Sequence, residues 1–161
     1  MMAASDKKPR KFSVGLSEKL ETELPIRLNE AEEQERYTVS PRINTISEGV
    51  SGVTFSSDSA PDLIVVDNLE NRTYFIEVKG TDPSSDIPVA ASGPIINEIK
   101  YYRTNPIRPM IFFVSASGIS EGLKKGLDAE DVTVIEGAKS EDIVGDVVRG
   151  IREYYPKPEI D

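Results

Sequence analysis

The chain has 161 residues, 38% of them hydrophobic and 29% charged, a size and balance that suit one globular domain with a substantial core. It contains no cysteine and no histidine, which excludes disulfides, thiol chemistry, zinc fingers, Ser-His triads and histidine general bases. Its formal net charge of −9 argues against a broad basic face, and acid–base work is left to carboxylates, Lys, Tyr or metal-activated water.

Residues 1–12, with Lys7, Lys8, Arg10 and Lys11, read as a disordered basic leader without a hydrophobic signal region. No apolar run approaches the roughly 18 residues of a membrane span, so a soluble, cytoplasmic protein with no membrane partner is expected. A single domain is expected over 13–155. Its first helix falls within 17–36, where Leu16, Leu20, Leu24, Leu28 and Ala31 share one face and Pro25 predicts a kink or a restart. A strand follows over 37–43, then a loop over 44–60. Residues 63–66 are apolar, 67–72 polar, and 73–79 rich in β-branched and aromatic side chains, which predicts a hairpin.

Residues 81–93 are small and proline-rich, fitting either a mobile loop over a site or a plain connection. Pro94 suits the first turn of a helix reaching Arg103, with Ile95, Ile96 and Ile99 in the core and Asn97, Lys100 and Tyr101 towards the strand ends. A strand over 109–115, a helix over 120–127 and a strand over 132–135 come next. In a last helix over 140–155, Ile143, Val147, Val148 and Ile151 form a stripe that closes the second face or contacts a second copy in a homodimer. Residues 156–161 read as a disordered tail.

The most informative feature is Pro61-Asp62 followed, after fourteen intervening residues, by Glu77-Val78-Lys79. If Asp67 faces Arg72 or Thr73 across the turn, counting back sets Asp62 opposite Glu77 or Val78, and cross-strand neighbours lie roughly 5 Å apart. Glu77 and Lys79 share one face of their strand, with Val78 on the other. Two carboxylates held this close repel and are partly desolvated, so a cation should offset them. Mg²⁺ or Mn²⁺ suits such oxygen ligands, and Lys79 would be a fixed charge beside a phosphate. That chemistry is metal-assisted phosphodiester hydrolysis. The bland alternative is an ordinary hairpin, with Asp62 in a turn and Glu77 and Lys79 on a solvated face.

These residues and their flanks resemble the PD-(D/E)xK nuclease superfamily, which includes restriction endonucleases, archaeal Holliday junction resolvases and RecB-like nucleases. The resemblance covers most of the chain and implies an α/β, restriction endonuclease-like fold: a mixed central β-sheet flanked by helices, in the order αβββαβαβα. It implies a Mg²⁺- or Mn²⁺-dependent endodeoxyribonuclease acting on duplex or branched DNA, of repair, recombination or restriction type. Asp62, Glu77 and the Val78 carbonyl would hold the metal and Lys79 would assist the water. A glutamate of the first helix usually helps hold that water, and Glu21, Glu23 and Glu30 are candidates, Glu23 the best by its distance from the next strand. Asn97 and Tyr101 resemble the Q-x-x-x-Y element of RecB-like nucleases, with Asn in place of Gln.

The acidic residues concentrate in 18–35 and 128–146, on the outside of the expected sheet, whereas Lys79, Lys100, Arg103 and Arg108 lie around the expected site. Two other readings stand beside the nuclease: a catalytically silent protein of the same fold that binds DNA or a partner subunit, and an unrelated α/β binding module.

Overall fold

The structure is a computed structural model; it describes residues 2–56 and 59–153, with side chains from residue 15 onward. Its centre is a five-stranded mixed sheet of order β1-β2-β3-β4-β5. The strands are β1 (Tyr37–Pro41), β2 (Leu63–Asp67), β3 (Arg72–Gly80), β4 (Met110–Ser115) and β5 (Thr133–Glu136). The first three are antiparallel to their neighbours, and β4 and β5 run parallel to β3. Leu63-Ile-Val-Val66 and Ile111-Phe-Phe-Val114 are continuous apolar runs because these inner strands are covered on both faces.

One face of the sheet is covered by α1 (Met2–Asn29) and α5 (Ser140–Arg152). Leu16, Leu20, Leu24 and Leu28 are buried there at four-residue spacing against Ile143, Val144, Val147 and Ile151 of α5 and Tyr74, Ile76 and Phe112 of the sheet. The stripe on α5 therefore closes this second face from within the chain. Arg152 joins the two helices by donating Nη1 to the Leu28 carbonyl, 2.6 Å away, at the end of α1.

The opposite face carries α2 (Arg42–Glu48), α3 (Ser92–Arg103) and α4 (Glu121–Ala129), packed through Ile95, Ile99, Tyr102, Leu123 and Leu127 on Ile64, Phe75, Ile111 and Phe113. Ser120 caps α4, its hydroxyl accepting from the Leu123 N–H.

Several expectations need amending. The α1 backbone reaches back to Met2, over the stretch expected as a disordered leader, whose side chains lie outside the description; the expected tail over 156–161 also lies outside the described residues. The helix continues through Pro25 rather than restarting there, because four-leucine burial over that span outweighs one lost hydrogen bond. Ala31 lies beyond the helix end and is exposed. The interval 44–60 is not all loop: α2 begins at Arg42, cutting the expected first strand short at Pro41.

Candidate active site

The β2–β3 hairpin places the site. Asp67 pairs with Arg72 and Leu63 with Ile76, so one more step sets Asp62 beside Glu77. The Val78 N–H donates to Asp62 Oδ2 at 2.7 Å, tying the aspartate to the strand that carries the other two residues. The hairpin is fastened at its far end by Arg36, which donates from Nε and Nη2 to the two Asp67 carboxylate oxygens, both at 2.9 Å.

At Lys79 the ladder between β3 and β4 slips: Val78 pairs with Val114, and the next partners are Gly80 and Ser115. Lys79 is the extra residue of this irregularity, which turns the strand end towards α3. Gly80 is required there. A Cβ at this position would lie 2.6 Å from Ser117 Cβ and would also run into the Ser115 hydroxyl.

Glu77 is fully buried, an uncommon position for a carboxylate. Tyr102 of α3 donates its hydroxyl to Glu77 Oε1 at 3.0 Å. Lys79 Nζ lies 3.1 Å from Glu77 Oε2 and 3.3 Å from Glu98 Oε1, so one ammonium bridges a strand carboxylate and a helix carboxylate. Both of those oxygens are buried, so the Lys79 ammonium is shared between two desolvated acceptors. Burial, followed by the neighbouring Glu98 and Asp62 carboxylates, pushes the Glu77 carboxyl up to about 8 against the pull of Lys79. Burial also raises Asp62, opposed by the Val78 N–H and by the guanidinium of Arg42, 3.3 Å from Asp62 Oδ1. Burial alone would lower Lys79, but Glu77 and Glu98 outweigh it and its pKa rises, keeping it an ammonium.

A cleft of ≈ 470 Å³ opens beside this cluster, bounded by Lys79, Glu98, Thr81, Ile87, Pro94 and Ser117 among others. The segment 81–93 forms much of its rim. It contains a 3₁₀ turn, Val89–Ala91, and is pinned at Asp82 and Ile87 to the loop after β4, through Ser117 and Gly118.

The structure thus brings Asp62, Glu77, Val78 and Lys79 together. It does not bring Glu23: that side chain pairs with Lys19 and Arg27 on α1, against α5 and on the other face of the sheet. Glu21 and Glu30 are exposed on that same helix and its end. The glutamate that a helix does supply is Glu98. Sequence reading singled out Asn97 and Tyr101, which are exposed, and missed Glu98; Tyr102, read there as a base-stacking or core residue, is buried, and both Glu98 and Tyr102 face the site. The available signal was the core set Ile95, Ile99 and Tyr102, whose side of the helix Glu98 flanks. Arg103 is structural as well: it donates to the carbonyls of Pro109, Glu130 and Asp131.

Among the described residues, no group of three or more acidic side chains forms a ready metal cage. The donor set nevertheless fits a hard divalent ion, since Asp62, Glu77 and Glu98 offer only carboxylate oxygens and two of these, Glu77 Oε2 and Glu98 Oε1, are buried around a single ammonium.

No family model matches the chain, and no curated protein matches it. Among solved structures it is similar to a repair endonuclease from Pyrococcus abyssi, with 18% identity over 72% of this chain and a TM-score of 0.41. The chain spans 45% of the length of that protein. It is also similar to the MunI restriction endonuclease, solved in complex with cognate DNA, with 11% identity, 80% of this chain and 85% of that one covered, and a TM-score of 0.40. The chain itself is an α/β fold, a mixed sheet of order β1 to β5 flanked by helices on both faces and carrying Asp62 and Glu77-Val78-Lys79 at one end of its antiparallel hairpin.

Proposed function

We propose that the chain is a metal-dependent DNA endonuclease that hydrolyses phosphodiester bonds. The observation that carries this reading is the buried Glu77 carboxylate beside Lys79, with Asp62 held against the same strand end and a cleft alongside. Such a cluster costs stability and stitches no two elements that the core does not already join. Perturbed carboxylates grouped at the edge of a cleft mark a site rather than a strut.

Asp62, Glu77 and the Val78 carbonyl would hold a Mg²⁺ or Mn²⁺ ion, with Glu98 on the far side of Lys79. The ion would supply Lewis-acid polarisation of the phosphate and a competent nucleophile at neutral pH. Lys79 would hold a positive charge at the place where the phosphate becomes more negative, and the Glu77 and Glu98 carboxylates keep that ammonium in position. Tyr102 orients Glu77 so that Oε2 is the oxygen presented to the cluster.

The net charge of −9 is compatible with a DNA substrate because of where it lies. Glu18 and Glu21 of α1 and Glu141 and Asp142 of α5 are exposed on the helices behind the sheet, whereas Arg42, Lys79 and Lys100 are on the side of α2 and α3. Binding through so few cations is expected to be strongly salt-sensitive.

The test is incubation with supercoiled, single-stranded and four-way-junction DNA in Mg²⁺ or Mn²⁺, beside Asp62→Ala and Lys79→Ala. Cleavage by the parent protein that disappears in both variants supports the assignment and identifies the preferred DNA shape. Metal binding without cleavage of any substrate would favour the silent reading, a nuclease fold that binds DNA or a partner subunit.

A further inference from the structure

Arg42 stands at the start of α2, and its backbone N–H donates to the Asp62 carbonyl at 3.0 Å. Its guanidinium turns back on the same residue, with Nη2 3.3 Å from Asp62 Oδ1, while Oδ2 takes the Val78 N–H. Both carboxylate oxygens of Asp62 are therefore engaged by the chain itself.

The chain contains a second Arg–Asp pair that shows what a structural one looks like. Arg36 meets Asp67 with two hydrogen bonds, both 2.9 Å, and Asp67 is 1% exposed. Arg42 makes a single longer contact, its side chain is 41% exposed, and its Nε is buried without any acceptor among the described residues. A guanidinium offers a planar fork of donors that suits an anion with several oxygens, and here half of the fork is unused. It lies within one residue's reach of the carboxylate at which the proposed reaction needs a cation.

We infer that Arg42 is a phosphodiester-binding residue held in reserve by Asp62, and that a divalent cation taking the Asp62 carboxylate releases it to the substrate. The inference rests on the nuclease reading of the site. Its logic is exclusion: Asp62 Oδ1 cannot present the same lone pairs to a guanidinium and to a metal ion, so the two compete. Once displaced, Arg42 has Nη2 and Nε free together, and a phosphate oxygen pair satisfies both. Cation and phosphate then help each other: the ion frees Arg42, and a phosphate holding Arg42 away leaves Asp62 open to the ion. Thermodynamic linkage makes this reciprocal.

The test uses the whole chain with Mn²⁺ alone and with dimethyl phosphate, a minimal phosphodiester that needs no cleavage to be read. Mn²⁺ affinity is measured by electron paramagnetic resonance of the free ion, with and without dimethyl phosphate, for the parent protein, Arg42→Ala and Arg42→Gln. The parent should bind Mn²⁺ about fivefold or more tightly with dimethyl phosphate present. Both variants should bind Mn²⁺ alone more tightly than the parent, because the competing cation is gone, and should lose the enhancement by dimethyl phosphate. Arg42→Gln keeps much of the side-chain packing, so it carries the test if Arg42→Ala does not fold. Variants that bind Mn²⁺ no more tightly than the parent, or that keep the enhancement, would overturn the role of Arg42 and leave the nuclease reading standing. A parent protein with no Mn²⁺ affinity at all would overturn both.

Discussion

Tyr102 gives its hydroxyl to a carboxylate that has no contact with solvent: the Glu77 Oε1 acceptor lies 3.0 Å away, at the end of the central strand of the sheet. The Tyr102 ring also stands edge-on to Phe75, with centroids 5.5 Å apart, so the hydroxyl is positioned by packing independent of the bond it makes. Tyr102→Phe keeps the ring contact and strips the donor. Leaving a buried acceptor unmet should cost about 1–3 kcal/mol, read as a lower urea midpoint at unchanged slope. An unchanged midpoint would mean that Glu77 finds another donor.

Lys79 serves two buried carboxylate oxygens at once, Glu77 Oε2 and Glu98 Oε1. Its side chain is 34% exposed, so solvent screens part of the interaction. Lys79→Met in metal-free buffer should therefore destabilise the protein by about 1–3 kcal/mol, less than for a fully buried pair. Adding Glu77→Gln to the same chain should recover part of that loss, because the amide is neutral without taking up the proton that a buried carboxyl deprived of its cation must bind on folding. A thermal-melt double-mutant cycle measures the coupling, and strictly additive losses would refute it.

Glu23 and Glu98 separate the two helices as sources of the site glutamate. Glu98→Gln removes a charge beside Lys79 and should slow DNA cleavage by at least about tenfold if the site works as proposed. Glu23→Gln alters an ion pair on α1 behind the sheet and should leave cleavage unchanged and stability within about 0.5 kcal/mol. Reversed outcomes in the cleavage assay would move the site's glutamate to α1.

The Arg36–Asp67 pair predicts a pH response remote from the site. Burial pushes the Asp67 carboxyl up, but the Arg36 hydrogen bonds and the N–H groups of Glu70 and Leu69 outweigh it and hold the carboxyl below the usual range. The folded value lies below the unfolded one, so the contribution is complete above about pH 4 and is lost as pH falls through the folded value. Asp67→Asn should cost about 2–4 kcal/mol at pH 7 and flatten the acid limb of a stability–pH curve. A variant whose curve runs parallel to the parent's would exclude the pair as the source of that limb.

Gly80→Ala places a Cβ against Ser117 and Ser115 at the strand irregularity that aims Lys79. Overpacking there should cost about 1–3 kcal/mol, and cleavage should fall further than the stability loss accounts for, because Lys79 moves with the backbone. Full activity in a folded variant would show that Lys79 tolerates the shift.

Local pattern alone placed the hairpin and its pairing. The apolar run after Asp62, the polar turn and the alternating run into Glu77 set the register within one residue, because side-chain period and turn length leave little choice, and that register brings Asp62 to Glu77. The leucines of α1 and the stripe of α5 were legible for the same reason: each is a short-range regularity. Helix α2 was not, since residues 42–48 carry no strong periodic stripe and take their shape from packing beneath β1 and β2. The partners of the site were also decided in three dimensions. Whether Glu23 or Glu98 approaches Lys79 depends on which face of the sheet each helix covers, and whether Asn97 or Glu98 points inward depends on a rotation of about 100° about the α3 axis. Sequence spacing does not encode the first choice, and it bears on the second only through the core set Ile95, Ile99 and Tyr102. The burial of α1 with α5 on one side and α3 with α4 on the other settles both, and so adds Glu98 to the Asp62 and Lys79 that the hairpin already brings to Glu77.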